Sequence, residues 1–309
     1  MSSTYSIFNL VLKKRITVSA SLVRCVFESS DVNKMRRHAP DQRIKLLFPQ
    51  PSHPSIRINE GNDWYSHYMS IPKDERPLMR TYTLRALRIE DNEMDVEFVL
   101  HGKNTPVSNW LSQAEQGAPL QIVAPRATSD NTGSGQMGGM GGCEWMPPEQ
   151  VNQVLLVADE TALPAALGIL EELSLHDSPP NVQAFFEVPV QGDCLNLEQF
   201  KFANVFWLPR DVKAEYGYGE RLLEAVREHV VLPESAYIEE QSLAESVSSD
   251  GIFWERADNE GKANHFYGWV AAESTAVKNL RRYLLQERHL DKKLINFMAY
   301  WAKSSKSHH

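Results

Sequence analysis

Three short stretches hold the residues best able to do chemistry. In "RTYTLR", residues 80–85, Arg80 and Arg85 flank an alternating Thr-Tyr-Thr run, with Pro77 just upstream. Read as a strand, the run puts Arg80 and Tyr82 on one face and Thr81 and Thr83 on the other; both arginines are expected to turn to a common side. Alternation alone asks only for a strand, since Thr and Tyr suit a pleated surface. The arginines ask for more. A guanidinium fork matches a pyrophosphate, a tyrosine ring packs on a flat heterocycle, and a threonine hydroxyl bonds to its polar edge. The expected ligand is planar and anionic.

The second stretch, "ADETALPA" at 158–165, stands where a strand turns into a helix. A dinucleotide site ordinarily has a glycine-rich loop at such a turn, cradling the pyrophosphate. Asp159 and Glu160 oppose a phosphate instead. Asp159 or Thr161 also suits an N-cap, and Pro164 an early-turn proline. The third stretch is "AYWAKS" at 299–304, where Tyr300 and Trp301 precede Lys303. Read on an amphipathic helix, these two aromatics are packing residues.

Other chemistries find no support. The chain carries no Ser-His-Asp, Cys-His or HExxH arrangement. Cys25, Cys143 and Cys194 are odd in number, far apart and without CxxC spacing, which reads as buried or free thiols. Met137, Met140 and Cys143 offer soft ligands, but no histidine accompanies them and glycine crowds the stretch, so no protein metal site is expected.

The elements that must position these residues fall into two styles. "TVSASLVRCVFES", "RIKLLFP", "RTYTLRALRIE" and "MDVEFVLHG" are strand-like, separated by turn residues, and predict a small antiparallel barrel over 1–126. "VSNWLSQAEQGAPLQIVAP" adds a short helix, with Ser108 as its cap, and a returning strand. Residues 127–149 read as a Gly/Met-rich linker or insertion, since six of the 16 glycines lie between Gly133 and Gly142. From 150 to 309 strands alternate with helices, which predicts a parallel sheet with helices on its faces. Glu234 to Glu260, with eight acids and one base, reads as a solvated connection.

At 309 residues, two domains are expected. Hydrophobic residues at 42% and charged residues at 23% are ordinary for a globular chain. A net charge of −8 argues against a nucleic-acid partner. No run approaches the ~20 apolar residues of a membrane helix. The N-terminus places its positive charges after a short apolar run, the reverse of a secretory signal, so a cytoplasmic location is expected.

In order along the chain, "RTYTLR", "MDVEFVLHG", "TPVSNWLSQAEQGAPLQIVAPR", "LLVADETALPAALGILEEL", "VFWLPR", "YGWVAAESTAVKNLRRYL" and "AYWAKS" resemble the siderophore-interacting proteins. These ferric-siderophore reductases are a branch of the ferredoxin-reductase-like flavoproteins. The resemblance implies an N-terminal FAD-binding barrel and a C-terminal α/β domain of nucleotide-binding type. It assigns Arg80 to the cofactor's phosphates, Tyr82 to its ribityl and ring, and Thr83 to the flavin's N5 edge, with Thr81 alongside. Val99, His101 and Gly102 match the segment passing along the cofactor. Ser108 and Asn109 match the helix start at the pyrophosphate, although Thr105 and Val107 replace smaller residues. Asp159 and Thr161 match a loop near the flavin. Lys73, Arg126 and Lys303 are the basic residues matched to the pocket for an anionic ferric siderophore.

The implied activity is FAD-dependent reduction of that chelate, with NADH, NADPH or reduced ferredoxin as donor. Rival expectations are a general NAD(P)H flavin or ferredoxin-type reductase, a non-enzymatic siderophore carrier, and a flavin-bound scaffold for another protein.

Overall fold

The structure is a computed structural model that describes residues 5–61, 63–100, 105–127, 141–212, 216–238, 253–258 and 265–303. Two compact units divide the chain, Met1–Cys143 and Glu144–His309.

Seven strands build the first unit: β1 (Tyr5–Thr17), β2 (Leu22–Glu28), β3 (Arg43–Phe48), β4 (Leu78–Thr83), β5 (Ala86–Arg88), β6 (Glu93–Val99) and β7 (Pro119–Pro125). Helix α1 (Trp64–Ser70) lies between β3 and β4, and α2 (Pro106–Gln113) between β6 and β7. The strand order is β4-β3-β7-β1-β2-β6-β5, with every neighbouring pair antiparallel. Its two edges, β4 and β5, are separated in sequence only by Leu84 and Arg85. Leu84 N donates to Gln42 O at 2.7 Å and Arg85 N to Asp95 O at 2.9 Å, so these two residues stitch one edge region to the other. The sheet therefore curls into a partial barrel.

Period-two alternation fills the inside of this curl. Phe8, Leu10 and Leu12, then Ile44, Leu46 and Phe48, Met94, Val96 and Phe98, and Leu120, Ile122 and Ala124 form one buried cluster. On the other face Ile7, Leu47 and Val123 are covered by Ile58 and Trp64 from the β3–β4 connection. The stretch expected as one strand at "TVSASLVRCVFES" is two: β1 ends at Thr17 and β2 begins at Leu22, with Val18 N bonded to Leu22 O at 2.9 Å.

After β7 the chain is held at Ala127, whose N donates to Lys34 O at 2.8 Å. It is held again at Gly141 and Gly142. Gly141 O accepts from Tyr5 Oη at 2.6 Å, and Arg43 N donates to Gly142 O at 2.7 Å. Gly142 has φ +84, and a Cβ there would lie 2.2 Å from Tyr5 Oη, so no side chain fits. The other end of the expected linker belongs to the second unit. Trp145 Nε1 donates to Glu172 Oε1 at 2.7 Å, and Tyr267 Oη to Glu144 O at 2.6 Å.

The second unit alternates β8 (Gln153–Ala158), α3 (Leu163–Leu173), β9 (Asn181–Val188), β10 (Ala203–Pro209), α4 (Glu220–His229), β11 (Trp254–Glu255), β12 (Phe266–Glu273), α5 (Ser274–Arg281) and β13 (Ile295–Trp301). A π-helical turn, Arg282–Glu287, extends α5. The order is β10-β9-β8-β12-β13-β11. Five strands run parallel; β11 pairs antiparallel with β13, so the sheet is mixed. β12 is buried along its whole length and β8 nearly so, as strands covered on both faces must be. Successive strands run outward from β8 to β9 and β10, then resume on its other side with β12 and β13, so the order reverses between β8 and β12.

"AYWAKS" is where expectation and structure part. Tyr300 and Trp301 end strand β13 rather than lying on a helix, because Ile295–Trp301 pairs in parallel with β12 at the sheet's interior. Among the described residues no helix is long and apolar enough to cross a membrane, and no group of three His, Cys, Asp or Glu is placed to hold a metal.

Candidate functional site

In the first unit the site residues gather on β4 and α2. Arg80 pairs with Leu46 and Tyr82 with Ile44, so both lie on the inner face of the curl. Thr81 and Thr83 lie on the outer face, Thr81 exposed and Thr83 buried. Tyr82 is half-buried, its ring 4.7 Å from Phe98 and 6.3 Å from Phe48. Burial pushes its hydroxyl up to about 12, so it stays protonated at any physiological pH. Arg80 is exposed at the sheet edge. Its Nη1 donates to Met79 O at 3.0 Å, and among the described residues no carboxylate pairs with it.

Arg85 does not share that role. It follows the stitching residue Leu84, five positions from Arg80, and its buried side chain faces Glu97 at 3.5 Å. Arg24 and Arg88 join it in a lattice with Asp95, Glu97 and Glu93. The second arginine of "RTYTLR" therefore closes the barrel, and the expected common side for the two is corrected.

Helix α2 is anchored near Tyr82 through aromatic packing: Trp110 lies 5.5 Å from Phe48, which in turn contacts Tyr82. The expected cap, Ser108, is not the cap. Thr105 is, its Oγ1 accepting from Ser108 N at 3.1 Å and lying 2.8 Å from Ser108 Oγ. Asn109 N donates to Thr105 O at 2.9 Å. Both amides assigned to a pyrophosphate are thus engaged within the helix start, where the Thr105 and Ser108 hydroxyls also meet. Val99 ends β6, half-buried and on the face opposite Phe98. His101 and Gly102 lie outside the described residues. An exposed guanidinium without an acid partner among the described residues, on the same strand face as a half-buried tyrosine, fits a planar cofactor bearing a pyrophosphate.

The second unit assembles its polar groups at the carboxyl ends of its parallel strands. Asp159, 2% exposed, accepts from Thr161 N at 2.9 Å, Thr161 Oγ1 at 2.6 Å and Trp301 Nε1 at 2.8 Å. Desolvation and then the charge of Glu160 push its carboxyl up to about 7, against the opposing pull of those bonds. Neither Asp159 nor Thr161 is the N-cap of α3; Ala162 is, without a side-chain bond. Thr161 turns its hydroxyl inward to Asp159, and both Asp159 oxygens are occupied by protein donors.

Beside them Glu160 holds Arg210 through two bonds, at 2.6 and 2.7 Å, and Glu187 holds the same guanidinium at 3.1 Å. Burial works against the Arg210 charge, yet its bonds to Glu160 and Glu187 keep its pKa above the usual value. Burial likewise raises Glu187. Tyr218 lies under Arg210 at 4.4 Å, meets Trp301 edge-on at 5.0 Å, and has the Lys303 ammonium 5.5 Å from its centre. Gly219, φ +78, donates its N to Glu187 at 2.9 Å, and a Cβ there would lie 2.1 Å from the Ala276 Cβ. Lys303 N donates to Glu273 Oε1 at 3.2 Å, leaving its side chain exposed.

Lys73, after α1, and Arg126, after β7, are exposed in the first unit, while Lys303 is in the second. Sequence reasoning missed Glu187, Arg210 and Tyr218. One signal was available: the glutamate in "AFFEV" sits inside an apolar strand, and a buried acid requires a partner.

Known proteins resemble this chain along most of its length. Residues 11–129 match the siderophore-interacting FAD-binding domain, and residues 151–304 match the siderophore-interacting protein family. Ferric vibriobactin reductase ViuB of Vibrio cholerae is 24% identical over 298 residues, covering 94% of this chain and 89% of that one. An NADPH-dependent ferric-chelate reductase of Escherichia coli is 25% identical over 290 residues, covering 92% and 88%. In fold, the siderophore-interacting protein SipS from Aeromonas hydrophila superposes with a TM-score of 0.65 at 22% identity, covering 98% of this chain and 94% of that one. With both halves matched in order, this chain belongs to the siderophore-interacting protein family.

Proposed function

We propose that this protein is an FAD-dependent reductase of ferric siderophores, releasing Fe(II) in the cytoplasm for iron acquisition. The observation that carries this reading is Arg80: an exposed guanidinium with no acid partner among the described residues, beside Tyr82, in a unit matching the siderophore-interacting FAD-binding domain. FAD, when bound, takes up a two-electron hydride and passes electrons on singly. The protein's own residues bind and orient. Arg80 pairs with the cofactor's diphosphate, Tyr82 and Val99 flank it, and the Thr105–Ser108 hydroxyl pair lies at the helix start. His101 and Gly102 belong to the same assignment.

The substrate is a ferric ion held by hard oxygen ligands, and reduction lowers its charge and weakens that grip. Lys73, Arg126 and Lys303 supply positive charge for the anionic chelate, which a chain of net charge −8 must gather locally. The division of labour is a barrel over 1–126, a connection over 127–149 and a nucleotide-binding-like reductase domain over 150–309. The electron donor is NADH or NADPH, as for the E. coli relative named NADPH-dependent, with reduced ferredoxin as the alternative.

Anaerobic reoxidation tests the reading. Purified protein is expected to be yellow, and its flavin, pre-reduced with dithionite, to reoxidise in stoichiometric amount on adding a ferric siderophore. A colourless protein, or a reduced flavin that ignores ferric chelates while passing electrons to other acceptors, overturns it.

A further inference from the structure

In an open parallel sheet, the crevice at the strands' carboxyl ends, where strand order reverses, receives a dinucleotide. An acid near the end of the second strand meets the adenosine ribose 2′-hydroxyl, and a neighbouring arginine accommodates a 2′-phosphate. Both residue types stand at the corresponding strand ends here. Glu187 is the penultimate residue of β9, the second strand of the β8–α3–β9 unit, and Arg210 directly follows β10.

Neither is available to a ligand. The Glu187 side chain is 0% exposed and accepts from Arg210 Nη1 and Gly219 N. Glu160, from the turn after β8, grips Arg210 at both terminal nitrogens, and Tyr218 covers the guanidinium's face. Arg210 is left only 12% exposed. Among the described residues, two carboxylates share the one Arg210 guanidinium, and Asp159 adds negative charge when ionised.

Resting on the reading that a nicotinamide nucleotide is the donor, we propose that Glu160 is a specificity-determining residue. It withholds Arg210 from a 2′-phosphate, so the chain takes NADH in preference to NADPH. A 2′-phosphate would have to displace a bidentate, largely buried ion pair and then sit beside the Glu160 and Glu187 carboxylates. A ribose 2′-hydroxyl asks nothing of Arg210. This preference would part the chain from its NADPH-dependent relative.

The test compares calorimetric binding of 5′-AMP and 2′,5′-ADP to wild type and Glu160→Gln, alongside KM for NADH and NADPH. Wild type is expected to bind 5′-AMP at least as tightly as 2′,5′-ADP. Glu160→Gln should tighten 2′,5′-ADP about tenfold and change 5′-AMP by less than about twofold, with the KM ratio moving the same way. Adding Arg210→Ala to Glu160→Gln should erase the gain. Where Glu160→Gln fails to fold, Glu160→Asp, too short to hold both nitrogens, should shift the ratio in the same direction.

A wild type that favours 2′,5′-ADP, binding of neither nucleotide, or variants that leave the ratio unchanged all overturn the proposal. Reoxidation of dithionite-reduced flavin by a ferric siderophore uses no nucleotide. Its failure therefore counts against the reductase reading, and its success alongside an unchanged ratio counts against Glu160 alone.

Discussion

Arg80 and Arg210 both sit at a strand end or edge where an anionic ligand is expected, yet their surroundings are opposite. Arg80 lies exposed on an edge strand and bonds only to its neighbour's carbonyl among the described residues. Arg210 is clamped between Glu160 and Glu187 with Tyr218 against its face. The contrast teaches that residue type does not reveal duty. One guanidinium is left open to solvent, and the other completes the interior of its unit.

The sharpest way to break this contrast is to truncate both arginines in cofactor-free protein. Arg210→Ala leaves two carboxylates buried without their cation, and should lower the unfolding free energy by about 3–5 kcal/mol. Arg80→Ala should stay within about 0.5 kcal/mol of wild type. Urea unfolding followed by tryptophan fluorescence measures both, and equal losses would end the comparison.

Cofactor binding should invert the ranking. Arg80→Ala removes a charge-assisted fork, so FAD should bind about 1.5–3 kcal/mol more weakly and the protein should purify pale. Full FAD occupancy and affinity in that variant would show that this strand holds the cofactor by other means.

A smaller effect is expected at Asp159, on the closed side of the comparison. Its carboxyl is raised, so the stability it contributes is fully present below the ordinary Asp value of 3.8 and is lost as pH rises through about 7. The groups facing it are Thr161 and Trp301, which donate to it, and Glu160, whose charge is shared with Arg210. Asp159→Asn should gain on wild type by about 1 kcal/mol between roughly pH 5 and pH 8. The Trp301 indole N–H resonance, assigned with Trp301→Phe, should titrate near neutrality in wild type and not in Asp159→Asn. A flat resonance in wild type would show that Asp159 does not titrate there.

The smallest effect concerns exposed charge. Neutralising Lys73 and Lys303 together, each to Gln, should weaken binding of an anionic ferric catecholate several-fold at low salt, at about 0.2–1 kcal/mol per ammonium. The gap should narrow as ionic strength rises, while flavin reduction by the donor stays unchanged. Equal affinity in wild type and double variant at low salt would move the substrate pocket elsewhere.

What the sequence made legible follows from the range of the forces involved. Alternation in β1, β3, β6 and β7 is local, and it marks the inner face residue by residue from Phe8 to Ala124. Continuous apolar runs likewise suit β8 and β12 to burial on both faces. "INFMAYW" could not be sorted in that way, because a short apolar run has no period that separates strand from helix. The break at Leu84 was hidden for another reason: bonds to Gln42 and Asp95 stop β4, and neither residue is near in sequence. Glu160 and Arg210 are fifty residues apart, so their pairing exists only once three strand ends converge.

The anchored ends of the Gly/Met-rich segment bear on what its length costs. Ala127 is held by Lys34, and Gly141 and Gly142 are held by Tyr5 and Arg43, so both attachment points belong to the barrel itself. Chain inserted between fixed posts adds a closure cost that grows only logarithmically, about 0.6 kcal/mol for each doubling of length. Between these posts, closure entropy alone sets only a shallow cost on chain length.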